Sequence, residues 1–310
     1  MTPAGSVLLL TTLTGFGYGL IAWLGTLAGL GFLPAAPFFL PVCVAIGLGF
    51  SSAGLVASTL HLGHPERAWR AFSQWRSSWL SREGVAAMAT FPPAVAFAGL
   101  WWLLGAGAVA TRVAGVVAAV LAFVTVFCTS MIYASLKPIR QWHNPHTAPD
   151  YLIFAVFSGA VLLAALWAIW FGAAKGLAVA ALVAALAALG AKLAYWRFID
   201  TQKPLVSLAS ATGLLSFGTV QPLDRPHFTE NYVLREMGYQ IARKHAVKLR
   251  RIAALLAFLL PALLALVAAE GVLPAVATTA ATLSALVGLL VERWLFFAEA
   301  THVSTIYYGV

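Results

Sequence analysis

The sequence predicts an all-α integral membrane protein: eight transmembrane helices, arranged as a pair of four-helix bundles, in a single polytopic domain over residues 1–310. Three observations lead to this class. The chain is 61% hydrophobic and 9% charged, with a mean hydropathy of +0.89, whereas a soluble domain carries about 25% charged residues. Apolar runs of roughly twenty residues recur, the length that crosses the hydrocarbon core. No water reaches that core, so each span must satisfy its own backbone hydrogen bonds, which selects helix.

The first span is expected at Val7–Leu30. No basic segment precedes it, so it reads as a true span and not a cleaved signal. The second runs over Phe38–Leu60. Both are rich in small residues (Gly15, Gly17 and Gly19; Gly47, Gly49 and Gly54), which permit close helix approach but are also common in membrane helices generally. Segment Pro65–Ser81 follows as an amphipathic helix in the interface plane. At 100° per residue Trp69, Phe72, Trp75 and Trp79 share one face, while Arg67, Arg70, Gln74 and Arg76 lie mostly elsewhere. This face is either an interfacial aromatic belt or the lining of a cavity mouth.

The third span, Glu83–Leu104, contains Pro92-Pro93, which remove backbone donors and are expected to kink it. The fourth covers Val113–Leu136, the fifth Tyr151–Phe171 and the sixth Leu177–Phe198. A long connection, Asp200–Val247, then passes through Ser207–Val220, whose Gly, Ser and Thr content suits a surface lid or re-entrant loop. The basic run Arg243–Arg251 leads into the seventh span, Ile252–Ala268, and the eighth is Leu273–Ala298. That run suits either anionic headgroups or an acidic partner.

Connections after odd-numbered spans are short and nearly uncharged; those after the second, fourth and sixth are long and basic. Of the 19 Lys and Arg residues, all but Arg112 and Lys175 fall on the side of the long connections. The positive-inside rule makes that side cytoplasmic, with both termini there, in a bacterial inner membrane. All seven histidines (61, 64, 143, 146, 227, 245 and 302) fall on the same side. The net charge of +9 is spread over membrane loops, where lipid headgroups account for it, and does not indicate nucleic-acid binding. Cys43 and Cys128 lie in apolar runs and read as buried thiols. No CxxC motif is present, so no zinc or iron–sulfur cluster is expected in this chain.

His61 ends the second span and Glu83 begins the third, so adjacent antiparallel helices bring them toward each other. A histidine and a carboxylate suit a quinone, whose carbonyls need hydrogen-bond partners and whose redox chemistry moves protons. They are equally two polar residues snorkelling at helix ends.

The string His61-Leu62-Gly63-His64-Pro65-Glu66-Arg67-Ala68, with Ser81-Arg82-Glu83 opening the next helix, resembles the anchor subunit of dimethyl-sulfoxide-reductase-type molybdoenzymes. This is the DmsC family, within the broader NrfD-like group. The resemblance extends over essentially the whole chain, the later spans matching mainly by hydropathy. It implies an anchor without haem or iron–sulfur cluster that exchanges electrons with a membrane quinone, ubiquinone or menaquinone. An iron–sulfur subunit and a molybdopterin catalytic subunit would dock on the cytoplasmic face. It places His61 and Glu83 at the quinone site, and Arg293 matches a basic residue near the end of the last span. Arg67, Trp69, Arg70, Trp79 and Arg82 would form the rim of the pocket. The aromatic-rich tail around His302 departs from the family pattern. Segments Ser135–Pro145 and Arg243–His245 resemble the branch found in cytoplasmic membrane-bound sulfite dehydrogenases, which implies electron flow from sulfite into the quinone pool.

Other classes predict different features. A quinol-oxidising dimethyl sulfoxide reductase would carry its catalytic subunits on the far side. A haem b cytochrome needs axial histidines inside the bundle, and here all histidines lie in loops or at span ends. A secondary transporter needs ionisable groups near the midplane, where these spans carry almost none.

Overall fold

A computed structural model describes residues 4–59, 62, 64–202, 206–224 and 241–308. Among the described residues, eight helices are long and apolar enough to cross a membrane. They are α1 (Gly5–Leu30), α2 (Phe39–Thr59), α3 (Trp79–Leu104), α4 (Val109–Ala134), α5 (Thr147–Phe171), α6 (Lys175–Thr201), α7 and α8 (Pro274–Ala298). Helix α7 is continuous in three parts: Ile241–Ala253, a π-helical turn Ala254–Leu259, and Leu260–Ala269. Observed ends extend the expected spans mostly at the basic end, by about a turn in α3 and α5 and by more in α7.

The helices form two bundles. In the first, α1 packs on α2 and α4, and α3 packs on both of these; in the second, α5 packs on α6 and α8, and α7 on both of those. Helix α1 joins the bundles by packing against α5. Its glycines explain the closeness. A Cβ on Gly19 would overlap the Ala155 carbonyl of α5, and one on Gly17 would strike Ser51 of α2. Without a hydrophobic drive between helices in lipid, such close backbone packing is what holds them together. Trp23 Nε1 adds a 2.9 Å bond to the Val156 carbonyl. Outward stripes such as Val113, Val117, Val120 and Val124 on α4 remain exposed, at the helical spacing of a lipid-facing surface.

Proline has a visible consequence in α7. In a π-helical turn the Leu256 carbonyl would pair with the N–H of residue 261, which is Pro261 and has none. Ser284 Oγ of α8 fills that role at 2.7 Å. Helix α3 continues through Pro92-Pro93 as a single element.

The segment expected as an α-helix over Pro65–Ser81 is instead a 3₁₀ helix, Pro65–Gln74, followed by a turn and the start of α3 at Trp79. With three residues per turn, side chains at i and i+3 eclipse. Trp69, Phe72 and Trp75 therefore form one ridge, and Arg67, Arg70, Ser73 and Arg76 the next. Within Ser207–Val220 the structure has a single helical turn, Leu208–Thr212, and a 3₁₀ turn, Leu215–Phe217. Most of these residues are exposed, as suits a surface segment.

At the basic end, the loop between α4 and α5 is tied to the C-terminal segment. Trp142 Nε1 donates to the Phe296 carbonyl (2.9 Å) and Gln141 Nε2 to Thr301 Oγ1 (2.7 Å), and Ile139 bridges His302 antiparallel. Arg250, expected on a headgroup or partner surface, is half-buried and chelates Asp200 (2.6 and 3.0 Å) while donating to Glu299 (2.9 Å). It thereby joins the entry of α7 to the ends of α6 and α8. Burial pushes the Glu299 carboxyl up, and Arg250 opposes that rise.

Candidate functional site

The polar side chains of the spans gather at the basic end. Glu83 lies in the second turn of α3 and is buried. It turns inward, where Thr129 Oγ1 of α4 donates to its Oε1 at 2.6 Å. The hydroxyls of Tyr18 in α1, Ser51 in α2 and Ser81 in α3 are also buried here; Tyr18 and Ser51 interact with each other, and Ser81 Oγ has no hydrogen-bond partner among the described residues. Glu83 is in electrostatic reach of Tyr18, Tyr133 and Tyr151. The carboxylate can accept a hydrogen bond from a polar headgroup, and the hydroxyls around it can donate to or accept from one.

The second bundle holds a buried charge cluster. Lys192 Nζ of α6 pairs with Glu292 Oε1 of α8 at 2.5 Å, and Arg293 Nε pairs with Glu292 Oε2 at 2.5 Å. Lys192 and Glu292 are both 0% exposed. Lys192 lies over the Tyr195 ring (3.9 Å) and Arg293 over the Tyr151 ring (4.4 Å). Cations on aromatic faces gain from the ring quadrupole where water is absent. Asp150, at the start of α5, is buried in electrostatic reach of Lys192, Glu292, Arg293 and His146.

This corrects the charge map drawn from sequence. Lys192 and Arg293 count there as charges of the loop face, yet both are inside the bundle. At 1.5 Å per residue Lys192 sits about 14 Å from the end of α6. The spans are therefore not free of deep charge. Glu292, which holds both cations, went unnoticed, although an ionisable residue in an apolar span is itself a functional signal.

The expected site residues do not all come together. His61 lies outside the described residues. Arg67, Trp69 and Arg70 are exposed on the 3₁₀ helix, where Arg67 approaches Glu66 at 3.8 Å and Arg70 lies over the Trp69 ring. Trp79 and Arg82 join that helix to α3: Arg82 stacks on Trp79 (4.2 Å) and donates to the carbonyls of Trp75 (2.9 Å) and Arg76 (2.6 Å). Phe72 lies against Gly84, where a Cβ would approach its ring at 3.2 Å. Glu83 and Arg293 face the interior from different bundles. Between them is a cavity of about 20 Å³, lined by Thr12, Thr129, Tyr151, Ser158 and Arg293 among others.

A second cavity, about 220 Å³, lies at the basic end between the α4–α5 loop, the end of α6 and the C-terminal segment. Arg140, Gln141, Gln202, Thr301 and His302 contribute to its wall, and Arg140 donates to Gln202. Among the described residues its ionisable lining is Arg140 and His302. Cys43 and Cys128 are buried free thiols.

Sequence comparison adds relatives. A family model described as DMSO reductase anchor subunit (DmsC) matches residues 39–309. A sulfite dehydrogenase subunit of Allochromatium vinosum is 33% identical over 327 aligned residues, covering 99% of each chain. The anaerobic dimethyl sulfoxide reductase chain YnfH of Escherichia coli is 29% identical over 117 residues, covering 36% of this chain and 39% of that one.

Proposed function

The chain belongs to the DMSO reductase anchor subunit (DmsC) family, and on that premise we propose that it is the quinone-reactive membrane subunit of a three-subunit molybdenum/iron–sulfur oxidoreductase. The catalytic subunit oxidises sulfite at the cytoplasmic face, an iron–sulfur subunit relays the electrons, and this chain passes them to quinone. Glu83 is the proton-handling group of the quinone site, with His61 as a hydrogen-bond partner of the quinone carbonyl.

The observation that carries this reading is Glu83 itself, a buried carboxylate beside the buried hydroxyls of Tyr18, Ser51 and Ser81 near the basic end. Tyr18 and Ser51 suit a quinone carbonyl as donors, and the carboxyl suits proton transfer. The 3₁₀ helix, with its aromatic ridge beside a basic one, suits the approach of an apolar quinone from the lipid. Trp69, Arg70, Trp79 and Arg82 belong to that approach, and Arg67 continues its basic ridge.

Arg293 acts from the second bundle, holding positive charge across the cavity from Thr129. The 220 Å³ cavity, with Arg140 and His302 in its wall, suits an acidic segment of the iron–sulfur subunit. Sulfite as electron source rests on the full-length similarity to the Allochromatium protein and on the basic loops being cytoplasmic.

The test is Glu83→Gln in the assembled complex. It keeps size and polarity but removes proton exchange, and should lower sulfite-dependent quinone reduction by on the order of a hundredfold while the subunits still co-purify. Unchanged turnover would remove Glu83 from the quinone site. A quinol-oxidising complex is the alternative, and a periplasm-active reporter giving signal at either terminus would favour it.

A further inference from the structure

The cavity between the bundles has room for about one water molecule. Water in such a place needs two to four polar partners, and the lining supplies them. Thr12 of α1 and Tyr151 of α5 are 3% and 6% exposed; Thr12 Oγ1 has no hydrogen-bond partner among the described residues, and the Tyr151 hydroxyl, which Arg293 approaches, keeps its own hydrogen to donate. Thr129 and Arg293 complete the polar lining. Thr129 links this place to Glu83. Its single hydroxyl hydrogen has two acceptors, Glu83 Oε1 at 2.6 Å and the Thr125 carbonyl at 3.0 Å. It donates to one at a time, and its oxygen can accept from the cavity side.

We propose that this cavity holds a proton-relaying water, and that Glu83 exchanges protons with the basic end through the second bundle, by way of Thr129, the water and Tyr151, toward Asp150 at the start of the same helix. This rests on Glu83 as the proton-handling group of the quinone site. Reduction of a quinone takes up two electrons and two protons. Electrons arrive from the docked subunit, and each proton given up by Glu83 must be replaced. The water donates to Thr129 Oγ1 as Thr129 passes its own hydrogen to the Glu83 carboxylate. The water is then reprotonated from the side of Tyr151, so no hydroxyl gains or loses a proton overall.

The charge cluster sets where that route can continue. Glu292 is held by Lys192 and Arg293 together, which makes it a fixed counter-charge and a poor carrier. Asp150 has no direct ion pair among the described residues, although Lys192, Glu292, Arg293 and His146 all act on it. It lies in the first turn of α5 beside His146, which is half-buried at the surface.

The experiment is hydrogen–deuterium exchange of the Glu83 carboxyl, followed by infrared spectroscopy on the full chain in lipid nanodiscs at a pH where the band is present. Glu83→Gln identifies the band by removing it. Thr12→Val and Tyr151→Phe should each slow exchange at least tenfold, and Asp150→Asn should slow it further from the surface side. Thr26→Val, at the opposite end of α1, should leave it unchanged. Equal rates in the wild type and in both Thr12→Val and Tyr151→Phe would overturn the route. In the assembled complex the same two variants should lower kcat and raise the solvent isotope effect with KM for quinone unchanged. Normal quinone turnover in Glu83→Gln would defeat the quinone assignment alone, since the exchange rates do not depend on it.

Discussion

Thr129 donates a 2.6 Å hydrogen bond to Glu83 from the facing helix, and both side chains are buried. This bond fixes which way the carboxyl points: toward α4 and the neighbouring bundle, and not toward the exposed 3₁₀ helix that precedes it in sequence. Thr129→Val keeps the shape and removes the donor. Quinone-coupled turnover should fall roughly tenfold, the equivalent of about 1.5 kcal/mol for a hydrogen bond to a carboxylate, measured as sulfite-dependent quinone reduction with assembly unchanged.

The ion pairs of the second bundle predict an order of stabilities. Glu292→Gln strands two buried cations, whereas Lys192→Met leaves Glu292 paired with Arg293. Breaking a buried pair on one side costs about 3–5 kcal/mol. The thermal midpoint in detergent should therefore drop more for Glu292→Gln than for Lys192→Met. A Lys192→Met/Glu292→Gln double variant should fall by less than the two single losses together, because their effects are coupled. Additive losses would show that the contact is not energetically coupled.

Glycine packing gives a paired test. Gly19→Ala forces a Cβ onto the Ala155 backbone, while a Cβ on Gly49 meets nothing within 4 Å. Overpacking costs about 1–3 kcal/mol, and an exposed helical Gly→Ala gains up to about 1 kcal/mol. The two alanine variants should move the unfolding midpoint in opposite directions.

The 3₁₀ helix predicts a period of three in lipid contact. Spin labels placed singly at residues 69, 72 and 75 should be more accessible to oxygen, and those at 70, 73 and 76 to a water-soluble nickel chelate. An α-helix would drift by about 60° over each three-residue step. A smooth 3.6-residue periodicity would contradict the geometry found here.

Ser284→Ala leaves the Leu256 carbonyl without its 2.7 Å donor at the π-helical turn. An orphaned buried carbonyl costs about 1–3 kcal/mol. The loss should appear as faster amide exchange confined to the α7–α8 contact.

Much of this protein follows from sequence alone. Length and apolarity fix the number of spans, and alternating charge fixes which ends lie together. The string from His61 to Glu83 marks the place of the candidate site, and Glu83 and Arg293 are legible as residues of interest. Tyr18, Ser51, Thr129, Lys192 and Glu292 became significant only in three dimensions, as did the 3₁₀ period of Pro65–Gln74. In water a helix shows its inner face by being apolar there. In lipid both faces are apolar, so periodicity does not reveal the rotation of a span. Small residues such as Gly17 and Gly19 set that rotation by the neighbours they admit, and it is the rotation of α3 against α4, and of α6 against α8, that brings Glu83 to Thr129 and Lys192 to Glu292.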